Sequence, residues 1–141
     1  MAYVKPYAVE GSASQIWANS VDFANGDPVA LVTGFLTKAI DTVVAPVVGF
    51  SNQTSTMSAT NQTVAKEKVS YTRIEPYDTR FELNTSAAIA QADVGKYYNC
   101  NAAATLVDVA TASATKVAAS KYRLEDLVQG STTKGVFVAV I

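Results

Sequence analysis

The feature that most constrains the fold is the alternation of side chains between Val64 and Leu83, VAKEKVSYTRIEPYDTRFEL. In its first half the larger apolar side chains, Val69 and Tyr71, fall on every second position. The intervening face is polar: Lys66, Lys68, Ser70 and Thr72. A period of two residues is typical of a β-strand with one buried and one solvated face. The first half therefore predicts a strand.

A second strand is predicted directly after a break at Pro76, which has no N–H to donate to a sheet. Phe81 and Leu83 lie on one predicted face, with Arg80 and Glu82 on the other. Two alternating runs separated by a turn are typical of a β-hairpin. We therefore predict that the two strands pair with each other and that the shorter segments pack on this hairpin.

Turn residues divide the rest of the chain into short apolar runs. Asn25-Gly26-Asp27-Pro28 and Thr33-Gly34 are the clearest turn signals, because glycine readily adopts positive φ and Asp caps bends. Further strands are predicted at 29–32, 35–38, 42–50, 97–100, 105–109, 121–128 and 135–141. Pro46 restricts the 42–50 run to an edge or a bulge. The last run has almost no polar side chain, which predicts a strand that lies between neighbours or is covered.

Together these segments predict an all-β fold, a small barrel or sandwich of about eight to ten short strands. Residues 1–20 are predicted to be an extended N-terminal arm, because Pro6 and Gly11 interrupt any long element. Residues 21–141 are predicted to be a single β domain. Residues 86–93 favour at most one short helix, and 51–63 are predicted to be a loop or an irregular strand pair.

Charge is scarce in this chain. Charged residues make up 16% of the 141 residues and the net charge is −1, whereas a typical soluble domain is about 25% charged. Either neighbouring molecules cover part of the surface, or the surface is simply rich in Ala, Ser and Thr. A nucleic-acid partner is not expected, because the basic residues form no patch. Both close pairs, Lys66/Lys68 and Lys121/Arg123, are predicted to lie on solvated faces.

Residues capable of catalysis or metal binding are few. The chain has no histidine and a single cysteine, so histidine-based catalysis and cysteine-rich zinc sites are excluded. Cys100 is predicted to be a small core residue. The one dense carboxylate group is Glu75, Asp78 and Glu82, which we expect to serve turns and the surface rather than a cleft. The sequence predicts no enzyme activity, no cofactor and no metal.

Aromatic residues offer the best candidates for an interface. Tyr71, Tyr97 and Tyr122 are predicted to pack in the barrel, because each alternates with polar neighbours. On the arm, by contrast, large apolar side chains lack a regular element to pack in, and such side chains are efficient interface anchors. The predicted partner-interface residues are Tyr3, Val4, Tyr7 and Trp17. The surface that receives them is either the chain's own barrel or a neighbouring subunit.

The order of these motifs resembles that of the decoration (cement) proteins that stabilise tailed-bacteriophage heads. The likeness covers most of residues 20–141, and its pieces are Gly26–Val29, Phe35–Ala39, Val47–Phe50, Val64–Tyr71, Asp78–Leu83, Asp93–Tyr97 and Gly135–Val138. It implies a structural virion protein that binds the outer capsid surface and stiffens it. The implied partners are the major capsid protein and further copies of the chain, often as a trimer, with an N-terminal arm gripping the shell. The implied location is the virion, after synthesis in the bacterial host cytoplasm.

Three other functions are left open by the residues. The chain could be another virion component, such as a tail, fibre or adaptor protein. Its tyrosines could serve a carbohydrate-binding module. An enzyme would have to use Glu75, Asp78 and Glu82. No membrane partner is expected, since no apolar run approaches about 18 residues and the N-terminus lacks a signal-peptide pattern.

Overall fold

The fold is all-β, as the sequence predicts. The computed structural model describes residues 14–17, 23–52, 54 and 68–141. Strands within these ranges form two five-stranded sheets in which neighbouring strands run antiparallel. The first sheet, in the order β1-β5-β4-β2-β3, is built from Ser14–Trp17 (β1), Pro28–Val32 (β2), Phe35–Lys38 (β3), Val47–Ser51 (β4) and Lys68–Arg73 (β5). The second, in the order β6-β10-β9-β7-β8, is built from Phe81–Asn84 (β6), Tyr97–Cys100 (β7), Val107–Ser113 (β8), Tyr122–Leu127 (β9) and Lys134–Ala139 (β10).

Aromatic rings join the two sheets. Phe50 of the first sheet meets Phe81 of the second edge-to-face, with ring centroids 4.9 Å apart. Phe81 in turn contacts Tyr122 at 5.9 Å, and Tyr122 contacts Phe137 at 6.1 Å. All four side chains are buried, and burying a side chain of this size contributes up to about 3 kcal/mol. This row of rings forms the centre of the main core.

A second, smaller core lies on the opposite face of the first sheet. Val29 and Ala30 are consecutive in β2 and so point to opposite faces, yet both are fully buried. Ala30 belongs to the main core, whereas Val29 packs in a cluster with Phe23, Leu36 and Tyr71. Cα atoms of the two edge strands, β1 and β3, come within 8 Å of each other. The first sheet therefore curls towards closure around this second core.

The predicted hairpin between Val64 and Leu83 is wrong. The strands β5 and β6 form as predicted, with Tyr71, Phe81 and Leu83 buried, but they lie in different sheets. Between them the chain turns on itself, since the amide of Glu75 donates to Thr79 Oγ1 at 2.9 Å and the Thr79 amide donates to the Glu75 carbonyl at 3.0 Å. The Tyr77 amide then donates to the Ala139 carbonyl of the second sheet at 2.8 Å. The segment therefore crosses from the first sheet to the second. Its backbone N–H groups are satisfied within the turn and by the second sheet, and not by a hairpin partner.

The turn at Asn25–Pro28 forms as predicted, and an ion pair fixes it. Gly26 has φ = 90°, a conformation that glycine adopts readily. The buried carboxylate of Asp27 accepts a hydrogen bond from the Ala24 amide at 2.8 Å. It also lies 3.2 Å from Lys38 Nζ. Asp27 thus accepts the hydrogen bond of a backbone N–H in the turn, and Lys38 compensates the negative charge of the buried Asp27 carboxylate.

The 42–50 run is only partly a strand. β4 begins at Val47, after Pro46, and residues 42–46 form a loop. β4 lies between β5 and β2 rather than at an edge, and its pairing with β2 contains a register shift at Val29/Ala30. By contrast, β10 lies between β6 and β9 with its apolar side chains buried, which confirms the prediction for the last strand.

Two side-chain predictions on the second sheet are wrong. Tyr98 is buried and Tyr97 is only half-buried, because β7 turns Tyr98 and Cys100 towards the main core. Lys121 is 2% exposed, although it shares the alternation of Arg123, which is half-buried beside Glu125 at 2.7 Å. The alternation correctly places Tyr122 and Leu124 in the core but does not show that the other face is covered as well.

Part of the predicted arm is a strand. β1 lies within residues 1–20 and pairs with β5, Trp17 being opposite Lys68. Three of the predicted interface residues, Tyr3, Val4 and Tyr7, are outside the described ranges, as is most of the predicted loop at 51–63. A short 3-10 helix at Gln91–Asp93 occupies the end of the predicted helical segment.

Candidate interaction surface

A loop of the first sheet is held by side chains of the second. This tethered loop comprises residues 39–46, between β3 and β4. The Cys100 thiol donates to the Ala39 carbonyl at 3.3 Å. The Asn99 amide group donates to the Asp41 carbonyl at 2.9 Å, and the Lys121 ammonium group donates to the Val43 carbonyl. Alternate carbonyls of the loop are thus bound in succession, which fixes its backbone.

Lys121 is the most unusual of these three donors, because a lysine is seldom buried without a carboxylate partner. Burial lowers the pKa of its ammonium group, and electrostatic interactions with Cys100 and Asp41 oppose that shift. Its backbone also joins two strands, since its amide donates to the Tyr98 carbonyl at 2.8 Å and its carbonyl accepts from the Val140 amide at 3.0 Å. Lys121 therefore connects the tethered loop to the middle of the second sheet.

The tethered loop presents an apolar side chain to solvent. Val44 is 71% exposed, and Leu31 of β2 is 38% exposed. Both line a groove of about 450 Å³ whose other walls come from Val32, Thr33, Thr42, Val43 and Ala45. None of these lining residues is charged. An apolar side chain held out from a fixed backbone is a feature of interaction surfaces, because it loses little conformational freedom on binding.

Leu31 also borders a second groove, which we call the mouth groove. It encloses about 380 Å³ and is lined by Leu31, Pro46, Val47, Val48, Tyr71, Arg73, Ile74, Glu75, Pro76 and Ile141. Arg73 and Glu75 carry the charges of this lining and lie 3.7 Å apart in an exposed ion pair. Such pairs contribute little to stability, so both groups are open to rearrangement.

The predicted carboxylate group does not form a metal site. Glu75 pairs with Arg73, Asp78 is exposed, and Glu82 projects from β6. The described ranges contain no cluster of three or more His, Cys, Asp or Glu side chains able to hold a metal ion. Cys100 is buried, and burial raises the pKa of its thiol to about 11. It is a core residue, as predicted. No helix within the described ranges is long and apolar enough to span a membrane.

Sequence reasoning missed both Val44 and Lys121. Residues 42–46 are rich in β-branched side chains and were therefore predicted to belong to a strand rather than to an exposed loop. The available signal was Pro46, which cannot donate to a central strand and marks where the loop ends. For Lys121, no local pattern indicates that a loop some 80 residues earlier in the chain supplies the acceptor, Val43.

Comparisons with known proteins give no assignment. No family model, no curated protein and no solved structure matches the chain. The function is therefore inferred from the sequence and from the geometry described above.

Proposed function

We propose that this protein is a structural virion protein that binds the outer surface of an assembled phage capsid and stabilises it. The observation that carries the proposal is the apolar surface formed by Val44 of the tethered loop and Leu31 of β2, which line the same groove. A preformed apolar surface binds a protein partner with little ordering cost. The resemblance in motif order to head-decoration proteins supplies the class of partner.

In this proposal the capsid is stabilised by the sum of the surface contacts that each bound copy makes. Each molecule would bury its apolar surface against the major capsid protein, and copies bound to neighbouring sites would stabilise the assembled state by mass action. The low charged fraction of 16% favours such contacts, because few charged groups have to be removed from water. The predicted arm residues Tyr3, Val4 and Trp17 are further candidates for this contact.

The test is binding of purified protein to assembled phage heads that lack it. We expect Val44→Asp to raise the dissociation constant at least about thirtyfold, as loss of a central apolar contact does. The matched control is Val117→Asp, because Val117 is 49% exposed and lines neither groove. Equal binding by the two variants would show that the tethered loop is not the capsid contact.

Electron microscopy of the labelled protein on whole virions tests the location. Even coating of the head is expected. Label confined to the tail or to the head–tail junction would instead identify a tail, fibre or adaptor protein. The oligomeric state in solution, measured with and without heads, then shows whether copies associate before or after they bind.

A further inference from the structure

The mouth groove lies where the chain enters the first sheet. Its apolar lining includes Leu31, Val48, Tyr71 and Ile141, and Ile141 is 64% exposed. Ser14, the first residue of β1, is paired with Tyr71. The chain preceding Ser14 therefore starts beside a lining residue of this groove.

The register gives the direction of that chain. Pairing runs from Ser14 opposite Tyr71 to Trp17 opposite Lys68, so β1 runs antiparallel to β5. Followed backwards from Ser14, an antiparallel chain passes Tyr71 towards Arg73. Arg73 lines the groove, as do the residues that follow it, Ile74 and Glu75.

The residues before Ser14 have the chemistry that the groove requires. Gly11 and Ser12 allow a bend next to β1, and the apolar residues Val9 and Tyr7 precede them. Charged side chains at Lys5 and Glu10 flank this pair. They are opposite in sign to Glu75 and Arg73 at the rim, so the segment complements the groove in both polarity and charge.

We propose that the mouth groove is a docking site for the N-terminal segment of the same chain, with Tyr7 as its anchor. From Ser14, seven extended residues span about 23 Å, enough to bend at Gly11 and return to the groove. A tethered segment has an effective concentration in the millimolar range, which favours the chain's own groove over that of another molecule. The groove volume of about 380 Å³ is within the range of about 300–1,000 Å³ typical of sites for small ligands.

This inference selects the first of the two surfaces considered for the arm, its own barrel, and it does not depend on capsid binding. Docking of Tyr7 would cover the apolar mouth of the first sheet. It would cover Leu31, which borders both grooves, but would leave Val44 free, because Val44 lines only the other groove. A failure of one proposal therefore leaves the other standing.

The experiment measures how fast a thiol reagent labels Leu31→Cys in the full-length protein. We expect labelling to be about tenfold faster when Tyr7→Ser is added, because the docked segment must open before the reagent enters. Tyr7→Phe retains the ring and is expected to retain the protection. Val117→Cys is the matched control, with the same rate whether Tyr7 is present or replaced.

Two further measurements decide the outcome. Cys100 is buried, so its labelling reports global unfolding and should be equally slow in each variant. If Tyr7→Ser also accelerates the labelling of Cys100, the double variant Tyr7→Cys/Leu31→Cys is oxidised instead. A disulfide within one chain is then the expected product. Unchanged labelling of Leu31→Cys in a folded Tyr7→Ser variant, absence of the disulfide, or a disulfide only between chains would each overturn the proposal.

Discussion

The ammonium group of Lys121 donates a hydrogen bond to the carbonyl oxygen of Val43, which links the second sheet to the tethered loop of the first. Val44, the next residue, is the most exposed large apolar side chain in the described ranges. A buried cation thus holds the backbone next to an exposed apolar contact. The arrangement couples the packing of one sheet to the surface presented by the other.

Replacing Lys121 with Met should loosen the tethered loop without unfolding the protein. The hydrogen bond to Val43 is lost, at about 1–3 kcal/mol, but burial of the charge is relieved, which offsets part of the loss. We expect the Val43 amide, which donates to the Ile40 carbonyl at 3.0 Å, to exchange its proton about tenfold faster. Lys116→Met, at an exposed position, is the control and should leave the exchange rate unchanged.

The Cys100 thiol should make stability depend on pH in the alkaline range. Burial raises its pKa from an ordinary value of 9.0 to about 11. The thiol therefore contributes stability that is fully present below pH 9 and is lost as the pH rises to 11. The free energy of unfolding, relative to Cys100→Ser, should fall by about 2–3 kcal/mol over this window.

Urea denaturation of both proteins at several pH values measures this difference. Serine retains a donor for the Ala39 carbonyl but does not titrate there. The other groups that titrate in alkaline solution, including Lys121 and the buried tyrosines, are common to both proteins. Their contributions to the difference in the free energy of unfolding therefore largely cancel. A difference that stays constant from pH 8 to pH 11 would contradict the assignment of a buried, protonated thiol.

Gly49→Ala should destabilise the first sheet strongly. A Cβ at this position would lie 2.1 Å from the Thr72 carbonyl oxygen and 2.8 Å from Tyr71 Cδ2. Because the nearest obstacle is backbone, β4 and β5 would have to separate, and we expect a loss of about 3 kcal/mol. Gly130→Ala is the comparison, since Gly130 has φ = 85° but open space around it. A loss of about 1–2 kcal/mol is expected there from the left-handed backbone alone, and equal losses in thermal denaturation would argue against the steric cause.

Tyr98→Phe should leave stability unchanged or raise it by up to about 1 kcal/mol. The hydroxyl of Tyr98 is buried and has no hydrogen-bond partner among the residues that the structure describes, so its removal relieves an unsatisfied polar group. Tyr98→Leu should be destabilising, because it also removes the ring that contacts Phe137 at 6.1 Å. Chemical denaturation distinguishes the two, and a marked loss in Tyr98→Phe would mean that the hydroxyl has a partner in solution.

The sequence predicted the strands better than their arrangement. Phe81 and Leu83 were assigned to the buried face correctly, because alternation is a property of consecutive residues. The pairing of their strand was assigned wrongly, since β5 and β6 join different sheets through a crossover whose donors are satisfied by Thr79 and by the Ala139 carbonyl. Pairing depends on partners that are distant in the chain, and alternation carries no information about them.

The same distinction applies to the candidate surface. From the amino-acid sequence alone we could predict an all-β chain, its Gly26 and Gly34 turns, and a last strand apolar enough to require neighbours or a cover. These features follow from local conformational preference and from the two-residue period of a strand. The burial of Lys121 and the exposure of Val44 became evident only in the three-dimensional fold. Both outcomes depend on the contact between the tethered loop and the second sheet. The residues that make this contact are far apart in the chain, so no local sequence pattern indicates it.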